Sequence, residues 1–348
     1  MSDGESSFVK VQEEINNAIQ SENQRALQAG QIPTIDVNKI TQKYIDDLYQ
    51  LTNRPVLIYM VDFFNGQKIA LAGNDLSISL SDKDGIIEST RTLPSGPLDI
   101  ILHSPGGSLD ATESIVDIIR KKFKDVRFFI PNAAKSAATM WTLSGDEIFL
   151  ASSAELGPID PQMIIRKSTG EITQSPAQAI IDQFETAQSF LATNPNKLPA
   201  WIPILTMYGP SLYQDAIDAI KLSKEMVRTW LIEGMFKPIP RKSDRINRAK
   251  RVVNYFADHR TLKSHGRRIG LTEIDQNLKG LLKISELDSD PVLYDKVMNI
   301  YYCFLQIFQM SPAFKVIQNN FGKRYIRSIQ IQPVQIQQTQ IPPTPSHP

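Results

Sequence analysis

The sequence predicts an α/β fold, a parallel sheet covered by helices, and three observations support that reading. Residues 56–63, 98–103, 126–130 and 147–151 are short apolar runs of strand length, as expected of strands buried in a sheet. An amphipathic helical pattern over 108–124 separates the second run from the third, and parallel neighbours need a crossover of that kind because a tight turn only reverses the chain. Two strand-to-helix junctions are built from small residues, Ser104-Pro105-Gly106-Gly107-Ser108 and Ala134-Lys135-Ser136-Ala137-Ala138, where backbone can come close to a ligand.

The elements follow in order. Residues 8–50 read as a helical arm: Val9, Val11, Ile15 and Ile19 make an apolar stripe, and Ile40, Tyr44, Leu48 and Leu51 repeat it after a break at Pro33. That stripe needs a partner, either the main domain or a neighbouring subunit. In 108–124 the acids Asp110 and Glu113 lie near the start and Arg120, Lys121 and Lys122 near the end, which complements the helix dipole. Ser175-Pro176 and Ser211 open two further helices running to about Leu191 and Phe236. Between them, Pro- and Asn-rich 194–210 reads as a loop and a candidate lid. Residues 291–321 read as another apolar helical region, and the Gln- and Pro-rich end as disordered. The division expected is an N-terminal arm 1–54, a main domain 55–285, a helical extension 286–330 and a tail 331–348.

Composition narrows the partners. A formal charge of +1 over 348 residues gives no global attraction to nucleic acid. The basic cluster from Lys237 to Arg268 is interrupted by Asp244 and Asp258 and has no aromatic ladder, so it reads as a solvated helix face. A single cysteine, Cys303, excludes an internal disulfide framework and fits a reducing compartment. The first residues lack the pattern of a secretory signal, and no apolar run approaches the ~20 residues of a spanning helix. A cytoplasmic protein is expected.

The two junctions carry the chemistry. Gly106 and Gly107 let an N–H be aimed at a substrate carbonyl. Ser136 stands at the start of a short helix, where the backbone favours developing negative charge. Together they point to a serine hydrolase. A hydroxyl is a poor nucleophile until a base takes its proton, so Ser136 needs a base and a group to orient that base. Of the four histidines, His347 falls in the tail and His103 ends a strand, which leaves His259 and His265. Lys135, on the tight turn beside Ser136, is expected to point elsewhere. The carboxylate candidate is Asp160, within Glu155-Leu156-Gly157-Pro158-Ile159-Asp160-Pro161-Gln162. Taken alone, an ordinary Asp-Pro turn is the favoured explanation of that residue.

Four pieces in order, Ser104-Pro105-Gly106-Gly107, Ser136 among small residues, Gly157-Pro158-Ile159-Asp160-Pro161-Gln162 and Ser264-His265-Gly266-Arg267-Arg268-Ile269, resemble the serine dehydrogenase proteinase family over roughly 55–285. These are distant relatives of the Clp-type and signal-peptide peptidase A proteases. The resemblance implies a Clp protease/crotonase-like αβ spiral, here with additional N- and C-terminal helices. It also implies a triad of Ser136, Asp160 and His265, an oxyanion hole from the N–H groups of Gly107 and Ala137, and a peptide or protein substrate. It requires no metal or cofactor and suggests a homo-oligomer. Ala137-Ala138 stand where the family commonly has glycines, and the membrane segment that members often carry is not transferred to this chain. Three alternatives stay open: a Ser136–Lys167 dyad, a crotonase-type acyl-CoA enzyme, and a non-catalytic scaffold.

Overall fold

The computed structural model describes residues 6–29, 37–166, 170–206 and 211–329. In chain order its strands are β1 (Val56–Val61), β2 (Gly96–His103), β3 (Phe123–Ile130), β4 (Ala133–Ala134), β5 (Glu147–Leu150), β6 (Glu155–Leu156), β7 (Gln162–Arg166), β8 (Ile172–Pro176), β9 (Ile284–Glu286), β10 (Ala313–Asn319) and β11 (Arg324–Ser328). Seven form one sheet in the order β11-β10-β1-β2-β3-β5-β9. The five from β1 to β9 run parallel, so the α/β reading describes the centre of the molecule. The sheet as a whole is mixed, because β10 is antiparallel to β1 and β11 to β10.

The four strands read from the apolar runs are present as β1, β2, β3 and β5. Every residue of β1 is buried, which is why its sequence is a continuous apolar run rather than an alternating one. The crossover from β2 to β3 is the helix Leu109–Lys122, capped by Ser108, whose hydroxyl accepts the Ala111 N–H. The N-terminal helices Ser7–Ala29 and Val37–Thr52 pack against Pro291–Met310 of the same chain. Val11, Ile15, Tyr44 and Leu48 are buried.

Two stretches differ from expectation. The helix read over 291–321 stops at Met310, and the chain enters β10, every residue of which is buried. Periodicity cannot separate a buried helix from a buried strand in an unbroken apolar run, and Pro312 removes the N–H that a continuing helix would use. The region read as a loop contains a turn at Pro195–Lys197 and the helix Leu198–Leu205; residues 207–210 and the Gln/Pro-rich end lie outside the described residues. The hairpin β7–β8 was also not read from the sequence. It packs with the helices Ala177–Thr193 and Leu212–Glu233 around a small second core of Ala177, Ile180, Ile181 and Ala216. Among the described residues no helix is long and apolar enough to cross a membrane.

One buried ion pair anchors the segment that will border the site. Lys315 of β10 and Asp82 are both fully buried, with Nζ 2.9 and 2.8 Å from the two carboxylate oxygens. Burial pushes the Lys315 ammonium down from its usual value, and Asp82 opposes that shift. The same pair holds Ser77 to Ser79: Nζ donates to the Ser77 carbonyl at 2.8 Å, and the Ser79 N–H donates to Asp82 at 2.9 Å. The Tyr59 hydroxyl supplies a further donor to Asp82 at 2.8 Å. Removing one partner strands a buried charge, so Lys315→Met should lower stability by about 3–5 kcal/mol in chemical denaturation, and the double variant Lys315→Met/Asp82→Leu should recover much of it.

Candidate active site

The site forms beyond the carboxyl ends of β2 and β3, where open α/β sheets place their ligands. β2 ends at His103 and passes into Ser104-Pro105-Gly106-Gly107-Ser108. Ser104 pairs with the strand before the second junction: its N–H donates to the Ala133 carbonyl at 3.0 Å, and Lys135 N–H donates to the Ser104 carbonyl at 3.0 Å. On the other side Ile78 N–H donates to the Gly106 carbonyl at 2.7 Å, and Ser108 N–H to the Ile78 carbonyl at 2.8 Å. The two glycines are therefore clamped between Ile78 and the Ser136 turn. A Cβ on Gly107 would lie 2.3 Å from the Ile78 nitrogen, and one on Gly106 would lie 2.7 Å from the Ser136 Cβ. Their φ values of +153° and +96° are equally unsuited to a side chain.

Ser136 has φ +51° and ψ −121°, a conformation a non-glycine residue holds only where its surroundings impose it. It precedes the helix Ala137–Leu143, every residue of which is buried, with Trp141 set edge-on to Tyr59 and Phe128. Small residues at 137 and 138 let this helix start inside the core. Lys135 points away from the hydroxyl as expected: Nζ lies 2.6 Å from Glu155 Oε1, with longer contacts of 3.3 and 3.5 Å to the carbonyls of Leu156 and Arg267. Gly107 and Ala137 N–H donate to no acceptor among the described residues.

The acid and the histidines arrive from later segments. β6 pairs with β4, and Leu156 exchanges hydrogen bonds of 3.0 and 3.1 Å with Ile269. Gly157 N–H donates to Thr139 Oγ1 at 2.9 Å, which sets the following turn against the Ser136 helix. Asp160 is then buried, at 3% exposure, with Oδ1 2.8 Å from His265 Nδ1 and Oδ2 3.0 Å from His259 Nδ1. An ionised carboxylate only accepts, so each imidazole presents Nδ1–H to it and keeps Nε2 free. Ser136, Ala137, Gly107, Asp160 and His265 line one cavity of about 580 Å³. Ser136 and His265 do not hydrogen-bond to each other here; catalytic contacts commonly tighten only around substrate.

Sequence reasoning passed over His259 in favour of His265. No spacing rule signals it, because the two rings reach one carboxylate only through the turn His259–Leu262 and the reversal at Lys263, φ +64°. Lys167 lies outside the described residues. His103 is fully buried away from this cavity; burial pushes its imidazole down to about 3, and its Nδ1 accepts the Ala133 N–H at 3.3 Å. Among the described residues no group of three or more His, Cys, Asp or Glu is placed to hold a metal ion.

Residues 58–189 match the family described as ClpP-like SDH-type serine proteinase. The matched segment contains most of β1, both junctions, Ser136 and Asp160, whereas His259 and His265 lie beyond it. Two uncharacterized proteins of Methanocaldococcus jannaschii are 28% identical over 38% of the chain and 32% identical over 31% of it. Those matches span 47% and 34% of the relatives' own lengths. Among solved structures, a membrane-bound stomatin-specific protease is 16% identical with a TM-score of 0.33, covering 60% of this chain and 70% of that one. The ClpP catalytic domain of Plasmodium falciparum is 12% identical with a TM-score of 0.34, covering 69% and 88%.

Two measurements check this geometry. Ser136→Gly should be more stable than Ser136→Ala by about 1 kcal/mol in urea unfolding, because only glycine relieves the positive φ. For His103, the unfolded chain takes a proton near 6.5 while the folded chain resists it down to about 3. Between those values the unfolded state holds the extra proton, so stability falls as pH falls through that window. The wild type should therefore lose more stability between about pH 7 and pH 4 than His103→Asn, which keeps an acceptor for Ala133.

Proposed function

We propose that this protein is a serine peptidase with Ser136 as nucleophile, His265 as general base and Asp160 as the orienting carboxylate. The observation that carries the proposal is the convergence of a strained serine, a carboxylate-bound histidine and two uncommitted backbone N–H groups on one cavity, in a chain with a ClpP-like segment.

The mechanism follows from the atoms. With Nδ1–H committed to Asp160, His265 Nε2 takes the Ser136 proton as Oγ attacks the carbonyl carbon of a peptide. The oxyanion that forms is stabilised by the N–H groups of Gly107 and Ala137, which are already fixed before reaction begins. Collapse expels the amine, which receives the proton from His265. Water then attacks the acyl-enzyme with the same histidine as base, regenerating Ser136. Lys135 is unsuited to act as the base because its ammonium is spent on Glu155.

A fluorophosphonate probe tests the nucleophile. The wild-type protein should be labelled and Ser136→Ala should not; labelling that persists in Ser136→Ala would remove Ser136 from the role. In a peptidase assay, His265→Ala should lower kcat by about a million-fold, as loss of a triad histidine does elsewhere. Full activity in that variant rules out His265 as base.

A further inference from the structure

We infer that His259 is a positioning residue, the second anchor of Asp160, which holds the carboxylate so that Oδ1 is presented to His265. A carboxylate buried this deeply needs a partner on each oxygen. Oδ1 is taken by His265 at 2.8 Å, and Oδ2 by His259 at 3.0 Å, with the Gln162 amide a longer 3.3 Å away. With one oxygen anchored, the carboxylate can still rotate about its bond to Cβ. With both anchored, its plane is set, and the His265 ring that follows Oδ1 is set with it. His259 is not a second base: it does not line the cavity that holds Ser136, and its Nδ1 is committed to Oδ2.

The ring is itself held. Asp258 caps the turn His259–Leu262, accepting the Thr261 N–H at 3.1 Å and its hydroxyl at 2.6 Å, and Lys263 N–H closes on the His259 carbonyl at 2.7 Å. The adjacent Arg260 reaches Asp182 on the helix Ala177–Thr193 at 2.6 Å. That pair is exposed and adds little stability, but it fixes which way the turn faces. Residues 258–262 thus link the carboxylate to the small second core.

The rate effect rests on the peptidase reading, whereas the geometric effect does not, so both are measured. His259→Leu, His259→Asn and the wild type are compared by kcat and KM on a peptide substrate and by long-range proton–nitrogen spectra of the imidazoles. His259→Leu should leave KM within about twofold and lower kcat by about ten- to a hundredfold, the usual cost of losing a partner one shell out. His259→Asn, whose amide N–H can reach Oδ2, should recover most of that loss, which a merely space-filling role would not produce. The His265 Nδ1–H signal should move in His259→Leu and return towards wild type in His259→Asn. An unmoved signal in a folded His259→Leu overturns the positioning role, as does a His259→Asn variant as impaired as His259→Leu. A wild-type protein that neither cleaves peptides nor takes the fluorophosphonate overturns the peptidase reading alone, and the spectra still decide the role of His259.

Discussion

The close approach of Gly106 to Ser136 is the constraint on which the rest of the site depends. Ser136 holds a positive φ, and the room for its Cβ exists because Gly106 has none. Gly106 in turn faces Ile78 through its carbonyl, so the Ile78 segment, the glycine turn and the serine turn are three backbones in direct register. None can shift without displacing the others. The Ile78 segment is fastened from behind by a fully buried pair, Lys315 of β10 and Asp82 at the start of the helix Asp82–Arg91. A polar network that would be a liability elsewhere acts here as a fixed support, because every charged atom in it has a partner.

The second half of the site is assembled by different means. Asp160 and the two histidines come from loops, which are ordinarily the less rigid parts of a domain. Rigidity is supplied by short backbone pairings, β4 with β6 and Leu156 with Ile269, and by the Gly157 bond to Thr139. Lys135 reinforces them by bridging the residue before Ser136 to Glu155 and to the chain after His265. The lysine next to the candidate nucleophile therefore helps hold the other segments in position.

The legible parts of the fold were those whose signal is local. The apolar runs became β1, β2, β3 and β5, and the sorted charges around 108–124 matched a capped helix. β10 was missed because Ala313, Phe314, Val316 and Ile317 continue an apolar run that suits helix and strand alike. The place of β10 in the sheet, second from one edge, depends on pairing with β1, more than 250 residues earlier in the chain. The hairpin β7–β8 was missed because its residues alternate weakly and pack on a second core that no single segment announces.

The sequence by itself determined the α/β centre and the two small-residue junctions, since those follow from strand length, crossover geometry and the need for residues without bulk at a turn. It also contained Ser136, Asp160 and His265 as candidates without establishing that they meet. Only the tertiary structure decided that Asp160 is shared by His265 and His259, and that Lys135 is held by Glu155. Those outcomes depend on contacts between segments far apart in the chain, and on a reversal at Lys263 that composition does not encode. Local physics specifies which turns form; the packing of β4, β6 and the 264–269 loop specifies which side chains those turns bring together.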